Sequence, residues 1–270
     1  MTTKNEVKEI IKKWYNALGF KRQYDDEFYA ALESIYVDGD RKAESYNQED
    51  PDGKKNFLYY LYFSEEMERA YEDMGIDREI FLDSVKDLVT WTDIWSELKG
   101  ELHLGEIDWL WHIFTLRIMK LGRLQYNRAA AREAVPEKGI NKGDPVLDIH
   151  IPARGPLDSD ECRASLDMAK KFYKKFYPEF DYKCFTCHSW LLDTTLKDLL
   201  KPDSNILKFQ TLFNITALDQ SRAILAYTIR WKIKDEELKT AGCKSDFAKQ
   251  VRSAYLAGRR FYAGYGIIDK

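Results

Sequence analysis

The strongest constraint on this chain is a change of hydrophobic period near residue 105. Upstream of it, apolar residues recur at helical spacing. Val7, Ile10, Ile11, Trp14 and Leu18 fall at i, i+3, i+4, i+7 and i+11, and Gly19 follows as a stop. A shorter helix is expected over 25–35, and two more over 56–74 and 77–99, the last with Phe81, Val85 and Leu88 on one face. The stretch 38–55, DGDRKAESYNQEDPDGKK, reads as a long polar surface loop. Downstream, helical and alternating segments interleave. Ile107, Leu110, Trp111, Phe114 and Ile118 form a helical stripe that runs into a strand from Leu121 (LGRLQY), and VLDIHIP (146–152) alternates as a strand does. Between these strands, 131–145 is a loop dense in Gly and Pro. A helix over 158–177 follows, with Cys162, Leu166, Ala169, Tyr173 and Phe176 on its apolar face and Pro178 as its stop. The rest reads as a strand (182–190), a mostly helical stretch (194–213), a strand (221–231), a helix (245–258) and a short strand (265–268). This order predicts a helical N-terminal domain over 1–105 and an α/β or α+β domain with a mixed sheet over 106–270.

Composition narrows the classes. With 17 Tyr, 14 Phe and 7 Trp, the chain needs a large buried core and is not disordered. No run approaches the roughly 20 apolar residues of a membrane helix. The opening MTTKNEVKEIIKKW enters an amphipathic helix without a signal-like apolar core, which leads us to expect a cytoplasmic protein. The net charge of −3 hides an asymmetry: residues 1–105 carry 14 basic against 24 acidic side chains, and 106–270 carry 28 against 21. A basic half fits an anionic ligand such as a phosphorylated cofactor, and it equally fits an acidic half that docks on it. Net acidity and the lack of a basic run argue against nucleic acid. Trp91, Trp95, Trp109 and Trp111 sit at helical spacing, as core residues do more often than sugar- or base-stacking platforms.

Four cysteines do not make a secreted disulfide framework. Cys184-Phe185-Thr186-Cys187-His188 spells the c-type haem attachment pattern. In a strand, however, Cys184 and Cys187 point to opposite faces, and a reactive dithiol requires a helix N-terminus. A zinc site would need a second ligand pair, and Cys162 and Cys243 are isolated. Buried core thiols are expected, with no metal and no haem.

The segments LGRLQY, GDPVLDIHIPARGPL, FTCHSWLLD, PDSNILKFQ and AYLAGRRFYAGYGII resemble a bacterial family of acyltransferase-like proteins. Its members join a helical N-acyltransferase N-terminal domain to a C-terminal domain similar to GNAT-type N-acetyltransferases. The resemblance is strong over about 110–270 and weak over 1–105. It implies an acyl-coenzyme A N-acyltransferase fold in which acyl-CoA, as co-substrate, lies where two parallel strands splay apart. It also implies a strand–loop–helix unit that grips the pyrophosphate. Leu147, Ile149 and Ile151 would line the pantetheine, and Ala153, Arg154 and Gly155 would meet the pyrophosphate ahead of the helix from Asp158. A helix N-terminus suits an anion, but here Pro156 lacks an N–H and Asp158 with Glu161 forms a capping pattern. An ordinary tight turn explains the same residues.

Alternation places Asp148 and His150 on one side of their strand, and Arg123 and Gln125 on one side of the preceding one. If the strands pair, these four form a polar face able to hold an amine and remove its proton, with His150 as base. The same cluster would equally serve as a buried polar network. His188 is an alternative base. Tyr227, placed in the 221–231 strand, is a candidate acid toward the leaving thiolate, as the resemblance implies. The function expected is transfer of an acyl group from acyl-CoA to a small-molecule amine, with the N-terminal domain forming one wall of the acceptor site. A degenerate module that binds a ligand or partner without catalysis is the alternative, and a relative using a different acyl donor is a third.

Overall fold

The computed structural model describes residues 3–39 and 50–270. Most of the loop expected over 38–55 therefore lies outside the described residues. The chain divides into two compact units, Met1–Lys120 and Leu121–Lys270.

In the first unit, α1 (Lys4–Leu18) starts at Thr3, whose hydroxyl accepts the Glu6 amide while the Glu6 carboxylate accepts the Thr3 amide, and it ends at Gly19 in the left-handed region. α2 (Asp25–Ser34) and α3 (Lys54–Asp73) follow. The apolar stripe of α1 is buried as expected: Val7, Ile11, Trp14 and Leu18 are all inside. The Tyr15 ring stacks on Phe28, and the Trp14 indole N–H donates to Glu65 Oε2 at 3.0 Å. Gly53 (φ +69°) opens α3 against the backbone of Leu104, where a Cβ would meet the Leu104 carbonyl oxygen, so only glycine fits.

The helix expected over 77–99 is two helices, α4 (Arg78–Val85) and α5 (Asp87–Lys99), interrupted at Lys86. Ser84 donates back to the Ile80 carbonyl, a contact that bends helices, just before the break. The next helix, α6 (Ile107–Phe114), is shorter than its apolar stripe suggested. Leu116 takes a positive φ of 57°, and Ile118, counted as helical from its spacing, belongs to strand β1 (Ile118–Leu121).

In the second unit, the Gly122-Arg123 turn leads to β2 (Leu124–Ala130), then β3 (Pro145–His150) and the long helix α7 (Ser159–Phe176). β4 (Cys184–Ser189), α8 (Asn205–Gln210), β5 (Asn214–Gln220) and α9 (Ala223–Thr228) follow, then α10 (Asp235–Leu238), α11 (Asp246–Leu256) and β6 (Tyr262–Asp269). The sheet order is β1-β2-β3-β4-β6-β5, with β3 and β4 parallel and the other pairs from β2 to β5 antiparallel. A mixed sheet after a helical region is the predicted class.

The strand expected over 221–231 is wrong. The strand lies earlier, at β5, and Ala223–Thr228 is helical. AILA is a short apolar run that satisfies either period, and the structure resolves it by burying Ile224 and Leu225 with Leu196, Leu238, Val251 and Phe261.

One sheet face is covered by α7. Ser165, fully buried, accepts the Leu124 amide, donates to the Leu121 carbonyl and lies 2.9 Å from the Tyr126 hydroxyl. The Tyr173 hydroxyl donates to the Tyr126 carbonyl. The other face holds Val146, Cys184, Tyr265 and Ile267 against Ala131, Val135 and Ile140. Gly264 in β6 is required by close approach, because a Cβ there would sit 2.3 Å from the Leu192 carbonyl oxygen.

Candidate functional site

The sheet consists of two halves joined by a short seam. β2 stays with β3 to its end, where Gln125 faces His150, and β4 stays with β6 as far as Ser189 opposite Gly264. Between β3 and β4 the ladder holds only Leu147↔Phe185 and Asp148↔Thr186. Beyond that rung Ile149-His150 follow one half and Cys187-His188-Ser189 the other, so the halves part. Pro152 follows two residues later and has no N–H with which to resume pairing.

The last rung is fastened by side chains. The Thr186 hydroxyl donates to Asp148 Oδ1 at 2.7 Å, and Asp148 Oδ2 lies 3.5 Å from His150 Nε2. A carboxylate only 7% exposed needs such partners, since burial without them is costly. Next to His150 in the register stands Gln125, 1% exposed, whose Nε2 is buried without a hydrogen-bond partner among the described residues. A buried donor left unused in a native fold asks for an explanation.

On the other lip, His188 Nε2 lies 3.3 Å from Asp219 Oδ2 in β5, and its Nδ1 lies 3.4 Å from the Arg132 guanidinium. Tyr265, opposite His188, has its hydroxyl pKa raised, first by burial and then by the charge of Asp148. The opposite face of the seam is apolar. Leu147, Ile149, Phe185 and Cys187 are buried there, and burial drives the Cys187 thiol pKa well above its ordinary value.

Past β3 the chain turns through Ile151–Leu157 with Gly155 at φ +95°. Arg123 holds this turn: its Nε donates to the Pro156 carbonyl at 2.5 Å and its Nη2 to the Gly155 carbonyl at 3.2 Å. Asp158 caps α7, accepting the amides of Asp160 (2.9 Å) and Glu161 (3.0 Å). Two of the helix's N-terminal donors are therefore engaged by a carboxylate.

A parted pair of parallel strands, followed by a turn and a helix N-terminus, is the arrangement the sequence resemblance leads one to expect. The family model of the GNAT-like C-terminal domain matches residues 118–268, and that of the N-acyltransferase N-terminal domain matches residues 3–116. The chain belongs to this GNAT-like family.

No curated protein matches the sequence significantly. Among solved structures, an acyltransferase variant in complex with octanoyl-CoA is similar at a TM-score of 0.78 and 19% identity, over 97% of this chain and 88% of that one. An acyltransferase in complex with decanoyl-CoA gives 0.71 and 21%, over 98% and 99%. A third, in complex with decanoyl-CoA and teicoplanin, gives 0.69 and 22%, and this chain covers 66% of its length while 80% of this chain is matched. At such identities the likeness establishes the fold.

The sequence-derived residues of the GNAT-like domain fall as follows. Gln125, Asp148 and His150 come together on one face as the pairing assumption required. Arg123 does not join them: it precedes β2 and its side chain is committed to the Gly155 and Pro156 carbonyls. Leu147 lies inside the seam, so the stretch of β3 beyond the β4 register starts at Ile149, and Ile151 lies just past the strand end. Ala153, Arg154 and Gly155 occupy the turn.

His188 stands on the far lip. Tyr227 is on α9 rather than a strand, 44% exposed, its ring packed between Trp190 and Trp231. Thr186, Asp219 and Arg132 were not singled out from sequence. Thr186 sits within the C-x-x-C-H pattern that drew attention to its neighbours, but the other two carry no local signal. Cys184 and Cys187 are free and buried. Among the described residues no three His, Cys, Asp or Glu side chains gather as a metal set, and no helix is long and apolar enough to cross a membrane.

Proposed function

We propose that this chain is an acyl-CoA-dependent N-acyltransferase acting on a small-molecule amine, with the parted β3–β4 strands as its acyl-donor site. The observation that carries the reading is the two-rung seam, which opens a backbone edge at Ile149–Ile151 beside a polar face bearing His150. The solved acyltransferases of the same fold that hold acyl-CoA support it. Pantetheine amides would pair with the open edge, and the pyrophosphate would meet the Ala153–Gly155 turn and the Arg154 guanidinium.

His150, oriented by Asp148, takes a proton from the amine as the nitrogen attacks the thioester carbonyl. The carbon–nitrogen bond forms, the carbon–sulfur bond breaks, and CoA leaves as the thiol. The unused Gln125 Nε2 provides a donor for the acceptor or for the carbonyl oxygen. Residues expected as cofactor-lining from sequence contribute unequally, with Ile149 and Ile151 at the edge and Leu147 behind it. A cytoplasmic location belongs to this reading and accords with four free cysteines.

One observation favours a second reading, a module that binds a ligand or partner without catalysis: the Asp158 carboxylate sits on the helix donors that an anion would use. Calorimetric titration with acetyl-CoA, decanoyl-CoA and CoA at low and moderate salt separates the two. We expect saturable binding, weakened by salt and by Arg154→Ala, and His150→Ala should abolish turnover in an amine screen while leaving affinity nearly intact. Folded protein that binds no CoA would overturn the acyltransferase reading.

A further inference from the structure

The acyl-transfer reading leaves one proton unassigned. His150 removes a proton from the amine, but the departing sulfur needs one as well, and Tyr227, on α9 with its ring between two tryptophans, lies on neither strand of the seam. We propose that His188, oriented by Asp219, is the group that protonates the leaving thiolate. The inference rests on the acyltransferase reading and extends it.

Three observations carry it. First, Asp148 and Thr186 form the last rung of a parallel ladder, so His150 and His188 are each two residues beyond it, on the same sheet face and on opposite lips of the opening. A thioester held at the mouth therefore has an imidazole on either side. Second, each imidazole has its own carboxylate at Nε2: Asp148 at 3.5 Å for His150 and Asp219 at 3.3 Å for His188.

Third, Asp219 reaches His188 only because of a bulge. β5 pairs Ile215 with Gly266 but Ala217 with Tyr265, a one-residue slip. Without the slip, side-chain alternation would turn Asp219 to the sheet face away from Tyr265 and His188. With it, Asp219 pairs opposite Ala263 and shares their face. Bulges re-aim side chains in this way and are enriched next to active sites.

The charged and titratable groups around His188 come from four segments. Asp219 on β5 faces Nε2 at 3.3 Å. Arg132, beyond β2, lies 3.4 Å from Nδ1 and offers positive charge to a thiolate. Tyr265 on β6 and the Asp148–His150 pair on β3 complete the surroundings. In the transfer step, the Arg132 guanidinium, which can only donate to Nδ1, turns from it to the sulfur; the carbon–sulfur bond breaks as the protonated His188 ring gives its Nδ1 proton to sulfur, and the ring leaves the step neutral. His150 leaves it protonated, and exchange with water resets both.

The test needs no acceptor. CoA is bound to the protein and ionisation of its thiol is followed by thiolate absorbance against pH, for wild type, His188→Gln and His150→Gln. An imidazolium in contact with sulfur lowers the thiol pKa, so wild type and His150→Gln should ionise the bound thiol at least about one pH unit below His188→Gln, tenfold in the ionisation constant. Equal values in wild type and His188→Gln, or a loss confined to His150→Gln, would overturn the assignment.

A wild-type measurement guards against a misfolded variant. The ring-nitrogen NMR signals of His188 should shift on adding CoA and stay put on adding desulfo-CoA, and an identical response to both ligands would also overturn it. Failure of wild type to bind CoA at all is a different result, one that removes the acyltransferase reading itself.

Discussion

Arg123 offers the sharpest quantitative prediction. Its guanidinium is half-buried, with burial pulling its pKa down, and it makes two hydrogen bonds, to the carbonyls of Gly155 and Pro156. Hydrogen bonds from a charged donor contribute on the order of 1.5–3 kcal/mol each when buried. Water can reach this site and replace part of each bond, so Arg123→Met, which keeps the stem and removes the fork, should loosen the 151–157 turn by about 1–2 kcal/mol.

If a ligand's pyrophosphate is bound by that turn in its present shape, the same energy must be restored on binding. That raises the Kd for CoA about 5- to 30-fold. Urea denaturation reads the first quantity and calorimetry the second. A CoA affinity unchanged within twofold, whatever happens to the urea midpoint, would show that Arg123 steadies a turn with no part in binding and would refute the reasoning.

Other consequences follow from single contacts. Asp158→Ser keeps a capping oxygen for the Asp160 and Glu161 amides while removing a negative charge, so CoA should bind more tightly, most visibly at low salt, with stability nearly unchanged; Asp158→Ala should instead cost about 1 kcal/mol in thermal or urea unfolding. Ser165→Ala strips the buried partner of the Leu124 amide, the Leu121 carbonyl and the Tyr126 hydroxyl and should cost about 2–4 kcal/mol in urea unfolding, and a loss under ~0.5 kcal/mol would contradict the packing described. Burial pushes the Cys162 and Cys184 thiols up to about 11 and Cys187 well above its ordinary value, so at pH 8 a thiol reagent should rapidly titrate Cys243 alone in native protein and all four after denaturation. The same shifts set a pH dependence. Unfolded thiols ionise from about pH 8.5 while the native ones stay protonated, so this contribution is full below about 8.5 and is lost as pH rises toward 11 and beyond, readable as a falling melting temperature.

Much of the architecture was legible because burial obeys period. The α1 stripe, the apolar face of α7 and the alternation of VLDIHI each point to the element they form. The errors occur where two periods agree on the same residues. Ile118 continues a helical stripe yet opens a strand, and Ala223–Ala226 is too short an apolar run to choose between strand and helix.

The site was half legible for the same reason. Alternation put Asp148 with His150, and a single assumption about pairing added Gln125. Arg123 was assigned to that same face, and its actual role escaped because it holds backbone carbonyls of a turn more than thirty residues away, which no pattern encodes. Asp219 escaped because its direction depends on a bulge in β5, and a one-residue slip reverses every side chain after it.

The claim at the centre of this account is that the gap between β3 and β4 receives acyl-CoA. Amide NMR of the isotope-labelled protein titrated with CoA tests it most directly. The account predicts that the largest shifts fall on Ile149–Gly155 and Cys187–Ser189, flanking the seam on both sides, with Leu147 and Phe185 inside the ladder moving less. Saturable binding whose shifts cluster elsewhere, for instance around Arg222 and Trp231 at the surface pocket beside α9, would contradict it.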